Sequence, residues 1–163
     1  MSLEAELAAF VRSRPAFWNP IASAFSISGP TPPVDNRILS RLCYGNAPQN
    51  AGSAPYLVWD GPYDYDQGTV AQGAIAQKTA RFWFTVYAQY FDDAVDWMTA
   101  IENDLLSAFT PGTFFNLSTV RIMSMVYIPN TKFPSRSDQV QRTGQEFPLN
   151  GFTIAYQICW QPL

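Results

Sequence analysis

Histidine is missing from all 163 residues of the sequence. Because histidine is the commonest general base and metal ligand near neutral pH, histidine-dependent catalysis is excluded. Cysteine is scarce as well, since Cys43 and Cys159 are the two present and match no CxxC or zinc-binding spacing. We therefore expect each to be a small buried hydrophobic side chain, and we expect no disulfide framework.

Charge is also scarce in this chain. Asp, Glu, Lys and Arg make up 14% of the residues, against roughly 25% in an ordinary globular protein, whereas aromatic residues reach 15%. Such a composition leaves an unusually apolar or uncharged surface, which favours contacts between subunits. The net charge is -3 and the cations are scattered, so no basic track for nucleic acid is expected.

Neither a long apolar run nor a secretory signal is found in the sequence. No apolar stretch approaches the ~20 residues of a membrane-spanning helix. The N-terminus has neither a basic region nor an apolar region of the secretory type. We expect no membrane partner, and a protein that is made and used in a reducing cytoplasm or in a particle assembled there.

Catalytic and cofactor-binding motifs are missing too. The sequence contains no Gly-x-Ser-x-Gly or Ser-x-x-Lys pattern and no glycine-rich phosphate loop. Asp60, Asp64 and Asp66 suggest a calcium site, but the segment lacks the ligand spacing and closing Glu of an EF-hand. We interpret this acidic segment as solvated or partner-facing, and we expect no metal, no cofactor and no enzymatic activity.

A strand followed directly by an amphipathic helix, residues 80–109, organises the chain. From Arg81 to Gln89 β-branched and aromatic residues dominate, and the even positions are all apolar. The period then changes from two to about 3.6 residues, as in a helix that buries one face. We expect the helix to fold back over the even face of the strand and form the core. The even strand positions are Phe82, Phe84, Val86 and Ala88, and the helical stripe comprises Phe91, Ala94, Val95, Met98, Ile101, Leu105 and Phe109.

Three further strands are predicted, at residues 56–60, 119–128 and 152–161. Pairing the first with the strand at 80–89, and the other two with each other, gives a mainly antiparallel four-stranded sheet. The helices pack on one face of this sheet, so the fold class is α+β.

The whole chain, 1–163, is expected to be a single domain. Residues 1–37 are interpreted as an N-terminal helix and linker, and residues 38–163 as the sheet-and-helix core. Two long polar segments, at 61–78 and 129–146, connect the paired strands and are predicted to be long loops or hairpin extensions. Loops of this length are usually functional or disordered.

The sheet face away from the helices is too apolar to remain open. Trp83, Tyr87 and Tyr127 are expected on this face. A neighbouring subunit or an N-terminal segment should therefore cover these three side chains.

The first of the two long loops begins with acidic residues, and the second carries basic residues. In a closed ring each subunit presents one surface to the next, and oppositely charged loops would select that register. The alternative is that both loops are independently solvated. The candidate interface residues are Asp60, Asp64 and Asp66 at the start of the first loop and Lys132, Arg136 and Arg142 in the second.

Several short motifs are shared with a known family of structural proteins. They are a Gly-x-Ala-Pro-Gln approach at 45–49, an entering strand at 54–58, the strand-to-helix run at 84–94 and a C-terminal strand at 152–156. In these features the chain resembles the tail-terminator, or tail-completion, family of minor tail and head-tail joining proteins of tailed bacteriophages. It departs from the family in a longer N-terminal part, residues 16–33.

The resemblance implies a structural virion protein that forms a homohexameric ring. The ring would cap the tail tube and dock it to the head-tail connector or stopper protein, and genomic DNA would pass through the lumen without sequence-specific contact. The implied location is the tail or neck of a virion assembled in the cytoplasm of a bacterial host. A neck or head-completion (stopper) protein would share most of this description.

A function of another class also stays open at this point. The aromatic sheet face could be the floor of a pocket in a small-molecule-binding module or an enzyme.

Overall fold

The helices and strands of the chain form an α+β fold. A computed structural model describes residues 2–48, 52–67, 77–136 and 149–163, without the side chains of residues 64–67 and 135–136. The helices are α1 (Leu3–Ser13), α2 (Asn19–Ala24), α3 (Asn36–Leu39) and α4 (Phe91–Ala108), with a 3-10 turn at Pro15–Phe17. The strands are β1 (Leu42–Tyr44), β2 (Tyr56–Gln67), β3 (Lys78–Ala88), β4 (Phe115–Asn116), β5 (Val120–Tyr127), β6 (Phe133–Arg136) and β7 (Asn150–Pro162).

Within the described residues the strands form one mixed, curled sheet in the order β1-β2-β3-β7-β5-β4, with β6 also beside β7. β1 runs parallel to β2, and the other described pairs are antiparallel. The expectation of a mainly antiparallel four-stranded sheet is therefore wrong, although both expected strand pairings are present. β4 and β6, with 2 and 4 residues, are too short to show the alternation from which strands are predicted.

β5 and β6 act as one interrupted strand along an edge of β7. β5 pairs with the C-terminal half of β7, and β6 pairs with its first residues. Between them the hydroxyl of Thr131 accepts a hydrogen bond from the backbone N–H of Ala155 at 3.0 Å, in place of a strand carbonyl. The segment predicted as a loop at 129–146 therefore contains a strand, and its residues 137–148 lie outside the described part of the chain.

The strand-helix unit forms the core as its periodicity predicts. Phe82, Phe84 and Val86 on β3 are fully buried, and so are Met98 and Ile101 on α4. This confirms that α4 folds over the even face of β3. We call this side of the sheet the helix side.

α4 is rotated relative to the predicted stripe. Phe91 is 41% exposed, whereas Trp97, which was not assigned to the stripe, is 2% exposed. The indole Nε1 of Trp97 donates a hydrogen bond to the Ala16 carbonyl oxygen at 3.1 Å. Because this contact fixes the phase of the helix, Phe91 is left near the sheet margin, where its ring meets that of Phe152.

The N-terminal segment completes the core on the helix side. Phe10 of α1 is fully buried and contacts the rings of Phe17, Phe109 and Phe115. Glu6 is 1% exposed. Its carboxylate accepts hydrogen bonds from the turn between β4 and β5, at 3.0 Å from the Ser118 N–H and at 2.9 Å from the Thr119 hydroxyl. These hydrogen bonds satisfy the buried carboxylate and hold α1 against the sheet.

Replacing Phe84 with Ala should lower the free energy of unfolding by about 3 to 5 kcal/mol, because it leaves a cavity at a fully buried position. Chemical denaturation measures this change. The matched control is Leu106→Ala on the outer side of α4, where the side chain is 73% exposed and the expected change is within about 0.5 kcal/mol. Equal stability losses in the two variants would contradict the assigned core.

Candidate functional site

The strand register identifies the residues on the side of the sheet away from the helices. On β3 the odd positions lie there, and Trp83 is paired with Asp60 of β2 and with Ala155 of β7. Register partners on neighbouring strands share a face. We call this surface the open face. Its described members include Val58, Asp60, Tyr63, Arg81, Trp83, Thr85, Tyr87, Val126, Phe133, Thr153, Ala155, Gln157 and Cys159.

One end of the open face is covered by the chain itself. The ring of Tyr87 stacks on that of Tyr56 with centroids 4.7 Å apart. Tyr56 and Leu149 are each 1% exposed, and Ala47 and Val58 pack against them. Tyr87 is therefore covered by residues of its own chain that lie outside the N-terminal segment 1–37, from which an internal cover was expected.

The other end of the open face is apolar and accessible. Trp83 is half-buried, and its ring contacts that of Phe133 at 5.7 Å between centroids. Phe133 is 44% exposed and Val126 is 58% exposed. Tyr63, 46% exposed, lies on the same face, and we call these four residues the open-face patch. Exposed apolar side chains gathered on one face of a protein typically mark an interaction site.

A bulge moves Tyr127 to the opposite side of the sheet. The register between β5 and β7 shifts between Ile122 and Ser124. Beyond this shift Tyr127 is paired with Tyr156, a core residue of the helix side, and packs against the core. The expectation that Tyr127 shares a face with Trp83 is wrong, because one extra residue in a strand reverses the faces of all that follow.

Asp60 lies at the first register shift of β2 against β3. Its carboxylate accepts hydrogen bonds from the Gly61 N–H at 2.9 Å and from the Tyr63 hydroxyl at 2.6 Å. The hydroxyl of Tyr44 donates to the Gly61 carbonyl oxygen, and the bond to Asp60 raises the pKa of Tyr63. The side chains of Asp64 and Asp66 lie outside what the structure describes, although both residues belong to β2.

Lys132 lies on the helix side and has partners in its own chain. Its ammonium is 2.8 Å from the Glu102 carboxylate of α4 and 4.8 Å from the centre of the Tyr127 ring. Arg136 is the last residue of β6, its side chain is not described, and Arg142 lies outside the described residues. An intersubunit contact between the acidic and basic loops stays a prediction, while Asp60 and Lys132 are already engaged within the chain.

The two cysteines are not activated nucleophiles. Burial raises the pKa of the Cys43 thiol to about 11, and it also raises the pKa of Cys159. A thiol with a raised pKa is mostly protonated near neutral pH and reacts slowly. Both side chains are half-buried and free, so they are less enclosed than the sequence led us to expect.

A cleft of about 1030 Å³ lies on the helix side. It runs between α4 on one side and the 3-10 turn and α2 on the other. Asp93 and Asp96 line it together with Trp97. Sequence reasoning missed the cleft because its walls come from three distant segments. The repeat of Asp93, Asp96 and Ala100 on one helical face was the signal available.

Within the described residues no group of three His, Cys, Asp or Glu side chains could hold a metal ion. In the same part of the chain, no helix is both long enough and apolar enough to span a bilayer.

Comparisons with known proteins give matches among solved structures alone. No protein-family model matches the chain, and no curated protein matches it. Among solved structures, a chain described as "Virion of native gene transfer agent (GTA) particle" is similar with 14% sequence identity and a TM-score of 0.46. The match covers 88% of this chain and 93% of that one. A similarity at this level carries no inference about the partners or activity of the present chain.

Gly61 should tolerate no larger residue. Its φ is +133°, and a Cβ built there would lie 2.6 Å from the Arg81 carbonyl oxygen on the neighbouring strand. We expect Gly61→Ala to lower the free energy of unfolding by at least about 2 kcal/mol, because it combines backbone strain with a clash between strands. Thermal and chemical denaturation measure this loss. Gly112→Ala is the control, since its φ is also positive but its Cβ would meet no atom within 4 Å. A loss for Gly61→Ala no larger than that of Gly112→Ala would contradict the assigned bulge geometry.

Proposed function

We propose that this chain is a structural protein of a phage-like virion, and more specifically a ring-forming tail terminator. The observation that carries the proposal is the open-face patch of Tyr63, Trp83, Val126 and Phe133. The patch gives copies of the chain an apolar surface on which to associate, and the sequence resemblance described above supplies the family in which such a ring is expected.

The edges of the sheet are unsuited to pairing with a strand of another subunit, which favours contact through a face of the sheet. On one side of the sheet β4 pairs with the first residues of β5, Lys132 lies in the segment between β5 and β6, and β6 contains Pro134. On the other side, past the pairing of β1 with Leu57–Trp59, β2 has register shifts against β3 between Asp60 and Tyr63 and again before Asp66. Lysine, proline and bulges on an edge disfavour the addition of a further strand. A neighbouring subunit would therefore pack on the open face rather than extend the sheet.

A ring requires two different surfaces on each subunit. In a heterologous contact, one surface of a subunit binds a different surface of the next. Such contacts close into a ring when the rotation between neighbours is a whole-number fraction of a full turn. The open-face patch would be one of these surfaces. The residues of the acidic and basic loops would tune the contact, since exposed ion pairs contribute only about 0 to 1 kcal/mol each.

The partners of the ring follow from the proposed role. They would be the tail tube protein and the head-tail connector or stopper protein, with genomic DNA passing through the lumen. α4 carries five carboxylates, Asp92, Asp93, Asp96, Glu102 and Asp104, and no cation. Glu102 and Asp104 pair with Lys132 and Arg14, and the other three carboxylates would repel a phosphate backbone, which agrees with DNA passage without tight binding. A non-enzymatic role belongs to the same proposal.

We expect the protein to form hexameric rings that depend on the open-face patch. Phe133→Asp combined with Val126→Asp should shift it to a smaller species, because two charges would have to be buried in the contact. Light scattering after size-exclusion chromatography, together with negative-stain electron microscopy, measures the species. Leu106→Asp, on the outer side of α4, is the control and should leave the rings intact.

A wild-type protein that stays monomeric at tens of micromolar would overturn the ring, and so would rings that survive in the double variant. A tail-joining assay then separates the two virion roles. A tail terminator should act on isolated tails, and a stopper on DNA-filled heads. Activity on heads alone would replace the tail-terminator proposal with the neck alternative.

A further inference from the structure

The helix-side cleft is lined by small, proline and acidic residues. Its volume of about 1030 Å³ lies at the upper end of the range for small-molecule sites, roughly 300 to 1,000 Å³. A cleft of this size accepts a peptide segment. Its lining includes Ala16, Asn19, Ala88, Asp93, Asp96 and Trp97.

The walls of the cleft are held in place by contacts within the chain. Trp97 at the base is 2% exposed and donates its indole N–H to the Ala16 carbonyl oxygen, which joins α4 to the 3-10 turn. At one end Arg14 binds the Asp104 carboxylate through two hydrogen bonds, of 2.9 and 2.7 Å. A preformed cleft loses little conformational entropy when it binds a partner.

The charge in the cleft is acidic and unbalanced. Asp93 and Asp96 form no ion pair with any residue that the structure describes, and no described lysine or arginine lines the cleft. The prolines of the walls lack a backbone N–H. The cleft therefore offers two free carboxylates over an apolar base, and it attracts cationic donors.

Small side chains in the cleft determine the shape of the ligand that it can accept. Ala16, Ala88 and Ala100 allow another backbone to approach closely, while Asn19 and Gln89 supply polar groups that can satisfy its amides. We propose that this cleft docks an extended segment of a partner protein, in which arginine or lysine alternates with small apolar residues. The proposal is independent of the ring, because the cleft lies on the side of the sheet opposite to the open-face patch.

Three of the ten lysine and arginine residues of this chain already have carboxylate partners. Arg14, Arg37 and Lys132 already pair with carboxylates of their own chain. If these three side chains bound the cleft of another copy, their ion pairs within the chain would break. A second copy is thus one of the outcomes that the test below can return.

The test selects binders from a yeast-displayed library of random peptides of about nine residues, which span roughly 30 Å when extended. The full-length protein should enrich sequences with lysine or arginine between small apolar residues. A synthetic peptide with the enriched sequence is then titrated by calorimetry. Its affinity should fall by about tenfold or more in Asp93→Asn/Asp96→Asn, because charge-assisted hydrogen bonds are lost.

Asp92→Asn is the matched control, since Asp92 also lies in the first turn of α4 but does not line the cleft. It should change the affinity by less than about twofold. Binding should also shift the Trp97 indole N–H resonance and weaken as salt increases.

Three results would overturn the proposal: enrichment without basic residues, equal affinity for the wild type and the double asparagine variant, or an unmoved Trp97 resonance at saturation. Self-association that depends on Asp93 and Asp96 would assign the cleft to a second copy and would overturn it as well. Because the ring is measured with variants of the open-face patch, failure of the cleft and failure of the ring are distinguishable.

Discussion

The antiparallel pairing of β3 with β7 is the constraint on which the rest of the structure depends. It runs without a break from the pair of Lys78 with Trp160 to the pair of Ala88 with Asn150. Because side chains alternate along a strand, this register fixes which residues of both strands meet the helices. A slip by one residue would exchange Phe84 for Trp83 in the core. The large apolar side chains at even positions of both strands make such a slip costly.

The register divides the sheet into two sides with different roles. The helix side is closed by α1 and α4, and Phe10 and Phe17 in its aromatic cluster are fully buried. The open face keeps one internal cover, the stacked pair of Tyr56 and Tyr87, and leaves Trp83 and Phe133 accessible at the other end. The open face therefore offers apolar side chains for association with another copy. The cleft on the helix side offers carboxylates for a basic partner. Such a division suits a subunit that must contact its own copies and a different protein at once.

The parts of this fold that sequence predicted are those with long, regular periodicity. The alternation around Phe84 and the helical repeat through Met98 predicted β3, α4 and the core between them. Local contacts decided what the periodicity could not. The bond from Trp97 to Ala16 sets the phase of α4, and the register shift after Ile122 moves Tyr127 across the sheet.

The candidate sites were only partly visible in the sequence for the same reason. The apolar odd positions of β3 predicted that the open face exists. Its internal cover depends on Leu149, which lies far away in the chain, and the cleft depends on three segments that meet only in the folded protein. A local sequence pattern does not reveal contacts between segments that are far apart in the chain.

The central claim is that assembly buries the open face while the helix side keeps its solvent exposure. Oxidative footprinting with mass spectrometry, on concentrated assembled protein and on dilute dissociated protein, measures this side chain by side chain. The account predicts that oxidation of Phe133 and Trp83 slows severalfold on assembly, while that of Leu106 on the outer side of α4 is unchanged. Unchanged oxidation of Phe133 and Trp83, with protection of Leu106, would contradict it.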